Sequence, residues 1–427
     1  MIRASMAPMG ATGSRAQYVR AALLAGTALN RLTLTRSSGG SAVSAAGAIT
    51  IYSNDVPRID YDPTTLLLRG LLVEDQRTNG IRNPRGEGAV VGSPGTLPTN
   101  WQTFNLPDGL AVSVASTGVE DGLPYVDLRL FGTPTSSNPS SPTAGFACEG
   151  TTSVSGASGE RFTASVYMRV VAGDLGGLTW WLMSQERSTN LPDDRVSFTP
   201  TSAPLRQQRV AVTHTIIASS NMWSPIRFAG YTAGVPVDVT LRVAGNQLEK
   251  GDAASSLILP PAGAPAASTR AADLLSMTGA DPQRGTIIVK WRDPFAGPYP
   301  SNRGIVEFGD GSAGNRLLVF VPSGGTYIDN RCNRDGVSTN AGTIGGLVSG
   351  GRNAAALTWG TSRVGHALNG VAKSRDDAVL PDPSRMILGP TLFGGGNGVS
   401  AYPVIVESIV YIPRTLTDAE LVAATTP

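Results

Sequence analysis

Short stretches in which apolar and polar residues alternate recur along most of this chain, and turn residues separate them. Clear examples are residues 125–130, 162–168 and 286–291. Alternation with a period of two places successive side chains on opposite faces of a strand, so that one face can be buried. The 427 residues include 51 Gly and 30 Pro, which suits many short strands joined by turns. The pattern predicts an all-β protein.

The predicted strands fall into two groups separated by linkers. Residues 86–100 and 260–268 are rich in Gly, Pro, Ser or Ala, which is typical of connecting segments. We therefore predict two tandem β-sandwich (jelly-roll) domains, residues 91–265 and 275–427, because a chain of this length exceeds one ordinary core. Predicted strands lie at residues 32–35, 49–52, 71–73, 111–114, 125–130, 162–168, 178–183, 209–217, 237–243, 286–291, 304–309, 317–321, 354–359, 366–371, 386–389 and 404–412.

Residues 1–90 lack regular turn spacing and predict a mostly irregular N-terminal anchoring region. A region without a core of its own needs a partner, so we expect it to contact the rest of an assembly or symmetry mates. At the other end of the chain, Thr417 and Glu420 have the spacing of a capping box, which predicts a terminal helix.

Charge and cysteine content limit the classes of partner. A formal net charge of +2 with scattered basic residues argues against nucleic-acid binding, which needs clustered Lys or Arg. No run of 18 apolar residues occurs, so we expect no membrane insertion. Cys148 and Cys332 fall in different predicted domains, which argues against a disulfide framework.

Residues 56–79 read V-P-R-I-D-Y-D-P-T-T-L-L-L-R-G-L-L-V-E-D-Q-R-T-N. This stretch resembles a segment of virion surface proteins of tailed bacteriophages and related particles, approximately P-R-x-D-Y-D-P, then R-G-L-L-x-E, then R-T-N. The resemblance implies a particle-anchoring role. On general grounds, the charged residues would form buried or interfacial ion pairs that lock an extended arm onto a neighbour. The matching polar residues are Arg58, Asp60, Tyr61, Asp62, Arg69, Glu74, Arg77 and Asn79.

A second block, N-Q-L-E-K-G-D at residues 246–252 and T-R-A-A-D at 269–273, resembles the end of the central β-module of the same family. The predicted central sandwich looks like a carbohydrate-binding module. Residues 285–427 resemble a concanavalin A-like, laminin-G-type jelly roll, with Trp359 before the Asn369–Gly370 turn.

No catalytic pattern stands out. A glycosidase on such a scaffold needs paired carboxylates on one groove, and Glu307 and Asp310, three residues apart, do not share a strand face. His214 and His366 lie in separate predicted domains, where each is expected to be a strand residue with one hydrogen bond. We predict a protein that is not an enzyme and needs no cofactor. A structural calcium ion is conceivable, but no Asp-rich loop supports it.

Sugar recognition needs an aromatic platform and polar groups, and both are present. We select Trp181, Trp223, Tyr299 and Tyr327 as candidate ligand-binding residues. Trp180 and Trp181 are adjacent in a predicted strand, so one points inward and the other outward. The alternative is that the outward ring packs against another domain or subunit.

The resemblance implies a structural component of a phage or phage-like particle, such as a gene transfer agent, located on the virion surface. It would form a head spike or tail fibre and contact host cell-surface polysaccharide. Expected partners are capsid or tail proteins and other spike or fibre subunits, in a homo-oligomer that is a trimer or a pentamer. One alternative is a purely architectural spike base or adaptor that carries another adhesion protein. A polysaccharide depolymerase is less favoured.

Overall fold

A computed structural model describes residues 19–20, 32–150, 154–187, 193–218, 220–294, 302–382, 391–392, 400–401 and 404–426. These residues form strands joined by turns and one α-helix, which confirms the all-β prediction. The first strands are β1 (Val19–Arg20), β2 (Leu32–Thr35), β3 (Gly40–Val43), β4 (Ile49–Tyr52), β5 (Arg58–Tyr61), β6 (Leu68–Val73) and β7 (Arg77–Asn79). The next are β8 (Gln102–Phe104), β9 (Leu110–Glu120), β10 (Leu123–Gly132), β11 (Ala144–Ala147), β12 (Ser155–Gly156), β13 (Arg161–Asp174), β14 (Thr179–Glu186), β15 (Asp194–Phe198), β16 (Arg209–Thr215), β17 (Ser220–Trp223), β18 (Pro225–Ala229) and β19 (Val237–Lys250). The last are β20 (Ser268–Arg270), β21 (Leu274–Met277), β22 (Arg284–Arg292), β23 (Arg303–Gly309), β24 (Asn315–Val321), β25 (Tyr327–Arg334), β26 (Val337–Ser338), β27 (Ile344–Gly345), β28 (Arg352–Gly360), β29 (Arg363–Leu368), β30 (Val371–Arg375), β31 (Thr391–Leu392), β32 (Ser400–Ala401), β33 (Val404–Ile412) and helix α1 (Asp418–Thr425).

The central sandwich consists of two sheets that share one core. Its five-stranded sheet has the order β16-β13-β19-β10-β9. Its seven-stranded sheet has the order β12-β17-β14-β18-β11-β8, with β15 paired to β14. Apolar side chains from both sheets meet in this core, among them Val126, Leu241, Trp180 and Phe228. Alternation along each strand supplies the inward side chains.

The C-terminal sandwich contains an eight-stranded and a nine-stranded sheet. The first has the order β30-β29-β28-β22-β33-β6-β5, with β1 paired to β33. The second has the order β2-β21-β31-β23-β24-β25-β26, with β27 and β32 paired to β25 and β23. Its core holds Trp291 and Trp359 together with Leu34, Leu71 and Val73 from the first part of the chain.

These pairings differ from the expected division of the chain, in which residues 1–90 had no core. β2 pairs with β21 and β6 pairs with β33, so both strands complete the C-terminal sandwich. β7 also pairs with β20, with Asn79 opposite Ser268. The chain therefore enters and leaves the central sandwich at one place. β6 joins the C-terminal sandwich because its apolar side chains must be buried, and strands distant in sequence form the core that buries them.

The β3–β4 hairpin lies between the two sandwiches. Ile49 packs with Leu123 and Tyr167 of the central sandwich. Ala42 packs with Leu72 and Ile405 of the eight-stranded sheet. The hairpin thus contributes apolar contacts on both sides of the junction.

Several local predictions are confirmed, but the single strand predicted at residues 366–371 is wrong. The Thr417–Glu420 capping box begins α1. The predicted strand 366–371 is instead two strands, β29 and β30, joined by the Asn369–Gly370 turn, whose φ angles of 47° and 83° suit a two-residue hairpin. Cys148 and Cys332 are free thiols in separate cores. The predicted strand 386–389 lies outside the described residues. No helix in the described ranges is long and apolar enough to cross a membrane.

Candidate functional site

Trp180 and Trp181 point to opposite sides of β14, as predicted. Trp180 is buried in the central core, where its ring lies 5.1 Å from that of Phe228. Trp181 is half-buried on the outer face of the seven-stranded sheet. Strand alternation explains both positions, because neighbouring side chains leave a strand on opposite faces.

Trp223 lies in β17, in the same sheet. Its ring is 5.0 Å from the ring of Phe104, and the guanidinium of Arg187 lies 5.1 Å from its centroid. Its indole nitrogen donates a hydrogen bond to the carbonyl of Glu149 at 3.2 Å. Trp223 is therefore held in one orientation, with neighbours over its ring.

Arg227 connects these aromatic residues. It lies opposite Trp181 in the strand register, and its guanidinium is 5.5 Å from the ring of Trp223 and 5.6 Å from that of Phe104. Burial lowers the pKa of Arg227; the nearby Asp193 opposes this effect and the charge of Arg195 reinforces it. Such cation–aromatic contacts are worth about 0.5–2 kcal/mol each.

We call Phe104, Trp181, Arg187, Trp223 and Arg227 the cation–aromatic face. It combines planar apolar surface with guanidinium donors on one side of a rigid sheet. Chemically, this arrangement suits a ligand with C–H faces and oxygen acceptors, because aromatic rings pack on the former and Arg donates to the latter.

The remaining candidate residues lie elsewhere. Tyr327 is in β25 of the C-terminal sandwich, where it pairs with Gly345 and is 36% exposed. Tyr299 lies outside the described residues. The structure thus brings Trp181 and Trp223 into one sheet and leaves Tyr327 in another domain.

The two motif blocks meet in a buried ionic junction. Arg58 donates to Glu74 at 2.7 Å and also to Asp273. Arg36 donates to Asp273 at 2.8 Å, and Arg270 lies 3.0 Å from Glu74. All five side chains are at most 3% exposed. Charges this deep are stable only when paired, so the junction links the chain before and after the central sandwich.

Glu74 is ionised in this junction. Burial alone would raise its pKa, but Arg270 and Arg58, with two hydrogen bonds from Ser256, hold the pKa at about 2. The Ser256 backbone nitrogen and hydroxyl donate at 2.8 Å and 2.6 Å. Three positive or donor groups thus compensate one buried carboxylate.

Asn79 and Arg77 extend the junction toward the second block. The Asn79 side-chain oxygen accepts from the backbone nitrogen of Leu248 at 3.1 Å, and its amide donates to the carbonyl of Asn246 at 3.2 Å. Arg77 donates to the carbonyl of Lys250 and to Asp75. The segment at residues 77–79 in the first motif block therefore contacts the segment at residues 246–252 in the second block directly.

The remaining motif residues lie at the edge of the eight-stranded sheet. Arg69 is 3.5 Å from Asp60 and 3.6 Å from Asp62. Burial raises the pKa of Asp60 to about 6, although a backbone hydrogen bond and the charge of Arg69 oppose the rise. Asp62 accepts from the backbone of Thr64 at 3.0 Å, which confirms a turn there. Tyr61 is half-buried in β5.

The motif side chains are thus engaged within the chain. Arg58, Asp60, Glu74, Arg77 and Asn79 are all buried. This agrees with the general expectation of buried ion pairs that lock an extended segment, here within a single chain. Contact between the motif and a particle stays a prediction.

Glu307, Asp310 and His214 have structural partners. Glu307 lies 3.7 Å from Arg316, and Asp310 accepts a hydrogen bond from Ser312 in a turn. His214 differs from the expectation of one hydrogen bond: it contacts Asp194 at 2.8 Å and Glu186 at 3.1 Å. Strand pairing brings these acids together, which sequence spacing could not reveal.

Burial lowers the pKa of His366 to about 4, and the charge of Lys373 contributes to the shift. Across the ranges that the structure describes, no group of three or more His, Cys, Asp or Glu side chains is arranged to hold a metal ion.

No protein-family model matches the chain, and no curated protein matches it. Several solved structures do. A carbohydrate-binding module (CBM40) of Ruminococcus gnavus IT-sialidase, bound to α2,3-sialyllactose, is 18% identical over 34% of this chain and 83% of that chain, with a TM-score of 0.28. The tandem CBM22 domains of Paenibacillus barcinonensis Xyn10C are 11% identical over 81% of this chain and 98% of that chain, with a TM-score of 0.25.

Sequence reasoning missed three members of the cation–aromatic face. Phe104, Arg187 and Arg227 join it through pairing among β8, β11, β18, β14 and β17. The available signal was the short segment P-I-R-F-A at residues 225–229, in which Arg227 lies between two apolar residues at strand spacing. Its partners are distant in sequence, so the segment alone could not identify the face.

Proposed function

We propose that this chain is a non-catalytic, polysaccharide-binding subunit on the surface of a phage or phage-like particle, in a head spike or tail fibre. The observation that carries the binding role is the cation–aromatic face. Trp181 presents a half-buried ring on this face, and Arg227 lies opposite it in the strand register. A pyranose can pack its C–H face on such a ring while its oxygens accept from Arg.

The virion role rests on the motif resemblance at residues 56–79 and 246–273. It is supported by the buried ionic junction, because a subunit that projects from a particle needs its two sandwiches held together. Under this proposal, the partners are capsid or tail proteins and further copies of the chain, in a trimer or pentamer. Host cell-surface polysaccharide is the ligand.

A host-capsule pull-down with the full chain tests the binding role. Trp181→Ala and Arg227→Gln should each weaken binding about tenfold, because each removes one main contact. The matched controls are Phe131→Ala and Arg129→Gln, since Arg129 lies 4.8 Å over the ring of Phe131 outside the face. Loss in the controls as well, or no binding by the wild type, would contradict the proposal.

The architectural adaptor is a second candidate, and one observation favours it. The ring of Trp223 is already covered by Phe104, Arg187 and Arg227, so its contacts are satisfied without a sugar. An adaptor would show no polysaccharide binding, but it would be retained by particles that lack the other adhesion proteins.

A further inference from the structure

A cleft of about 720 Å³ opens on the C-terminal sandwich, in a different domain from the cation–aromatic face. It lies where β22 begins, β25 ends and the chain leaves β33, and the turn between β28 and β29 forms part of its wall. Ligand sites commonly have volumes of about 300–1,000 Å³. We propose that this cleft is a second binding site, for an acidic polysaccharide. The proposal is independent of the cation–aromatic face.

More guanidinium groups than carboxylates line the cleft. Arg284, Arg334 and Arg414 line it, and the single lining carboxylate is that of Asp281. Arg414 is neutralised by a two-point pair with Glu420, at 2.7 Å and 3.1 Å. The cleft therefore offers two further guanidinium groups to a ligand.

Those two groups are only loosely paired. Arg284 is 3.6 Å from Asp281, and Arg334 is 3.8 Å from Asp335; both distances exceed a hydrogen bond. Their side chains are 67% and 44% exposed. A guanidinium in this state can bind a carboxylate or sulfate through two parallel hydrogen bonds.

The wall beside Arg284 is held rigidly. The carbonyl of Asp281 accepts from the indole of Trp359 at 3.0 Å, and its backbone nitrogen donates to the hydroxyl of Tyr411 at 2.7 Å. Both aromatic side chains are buried. A preformed wall lowers the entropic cost of binding, because little has to be ordered when the ligand arrives.

The combination of an apolar rim with two guanidinium groups favours a sugar acid over a nucleic acid as the ligand. Pro282 and Val379 give the cleft an apolar rim, and Val379 is 40% exposed. This rim can contact the C–H faces of pyranose rings while the two guanidinium groups bind their acidic substituents. Nucleic-acid binding would require a larger cluster of positive charge along a phosphate backbone.

Calorimetric titration of the full chain at low salt tests the site. The probes are hexagalacturonate and its carboxyl-reduced, uncharged counterpart. We expect the wild type to bind the acidic probe and not the reduced one. Arg284→Gln and Arg334→Gln should each weaken binding about tenfold, since each removes charge-assisted hydrogen bonds.

Arg352→Gln is the matched control, because Arg352 is 68% exposed and paired with Glu407 in the same sandwich, outside the cleft. The affinity of this variant for hexagalacturonate should stay within about twofold of that of the wild type. Equal loss in this control, equal binding of the reduced probe, no binding at all, or tighter binding of a DNA oligonucleotide would overturn the proposal. Loss in Arg227→Gln alone would also overturn it, while supporting the cation–aromatic face.

Discussion

The guanidinium of Arg77 lies in the space that a side chain on residue 251 would occupy. A Cβ placed on Gly251 would overlap it, and Gly251 has a φ of +151°, which side chains rarely allow. Arg77 cannot easily move away, because it is buried and bonded to the carbonyl of Lys250 and to Asp75. One glycine therefore makes room for the contact between the two motif blocks.

Gly251→Ala should lower the free energy of unfolding by about 1–3 kcal/mol, because it combines backbone strain with displacement of Arg77. Urea unfolding measures the change. Gly263→Ala is the control, since Gly263 also has positive φ, +78°, but nothing within 4 Å of an added Cβ. Equal losses in the two variants would mean that the overlap with Arg77 has no energetic effect.

Glu74→Gln should destabilise the chain by about 3–5 kcal/mol, because it leaves Arg58 and Arg270 in a buried site with less compensating charge. The effect should shrink in acid. The pKa of Glu74 is about 2 in the folded chain against an ordinary 4.5. Its contribution is therefore complete above pH 4.5 and is lost as the pH falls toward 2.

Chemical unfolding of wild type and Glu74→Gln at several pH values measures this difference. Glu160→Gln provides the comparison, since Glu160 pairs with Lys250 at the surface and should show no measurable change. A difference between wild type and Glu74→Gln that is constant from pH 7 to about 3 would contradict the assignment of Glu74 as ionised.

Asp60 should have the opposite pH dependence. Its pKa is raised to about 6 from 3.8, so between these values the folded chain holds a proton that the unfolded chain has released. Stability from this group is therefore present below pH 3.8 and is lost as the pH rises through 6. The side chain in Asp60→Asn stays neutral at every pH. The free energy of unfolding of this variant should therefore be up to about 3 kcal/mol higher than that of the wild type at pH 7, and equal to it near pH 4. Thermal unfolding across this range provides the test; a larger advantage at pH 4 than at pH 7 would refute it.

Thr417→Ala should lower the free energy of unfolding by about 1 kcal/mol, because the Thr417 side chain caps α1 by accepting a hydrogen bond from the backbone nitrogen of Glu420. Thr426→Ala, at the other end of the helix, is the comparator. The Thr426 hydroxyl donates a hydrogen bond to the carbonyl of Val422, which contributes little to the stability of the helix. If both variants unfold at the same urea concentration as the wild type, the cap does not stabilise the sandwich.

Local patterns predicted local structure well. The predicted strands 32–35 and 49–52 coincide with β2 and β4, and the Asn369–Gly370 turn lies where the sequence places it. The strand predicted across that turn was wrong, because apolar residues flank it on both sides. That Trp180 and Trp181 point to opposite faces followed from alternation alone, but the position of Arg227 opposite Trp181 did not, since β14 and β18 are far apart in sequence.

The sequence by itself determined the all-β class, the turns and the capped helix, because these depend on residues close together in the chain. Only the tertiary structure decided that β6 joins β33, that the motif blocks share a buried ionic junction, and that Arg227 lies opposite Trp181 and over the ring of Trp223. These contacts join residues that are distant in sequence. Their formation depends on the free energy of the whole packed chain, because apolar side chains must be buried and buried charges must be paired in the same structure.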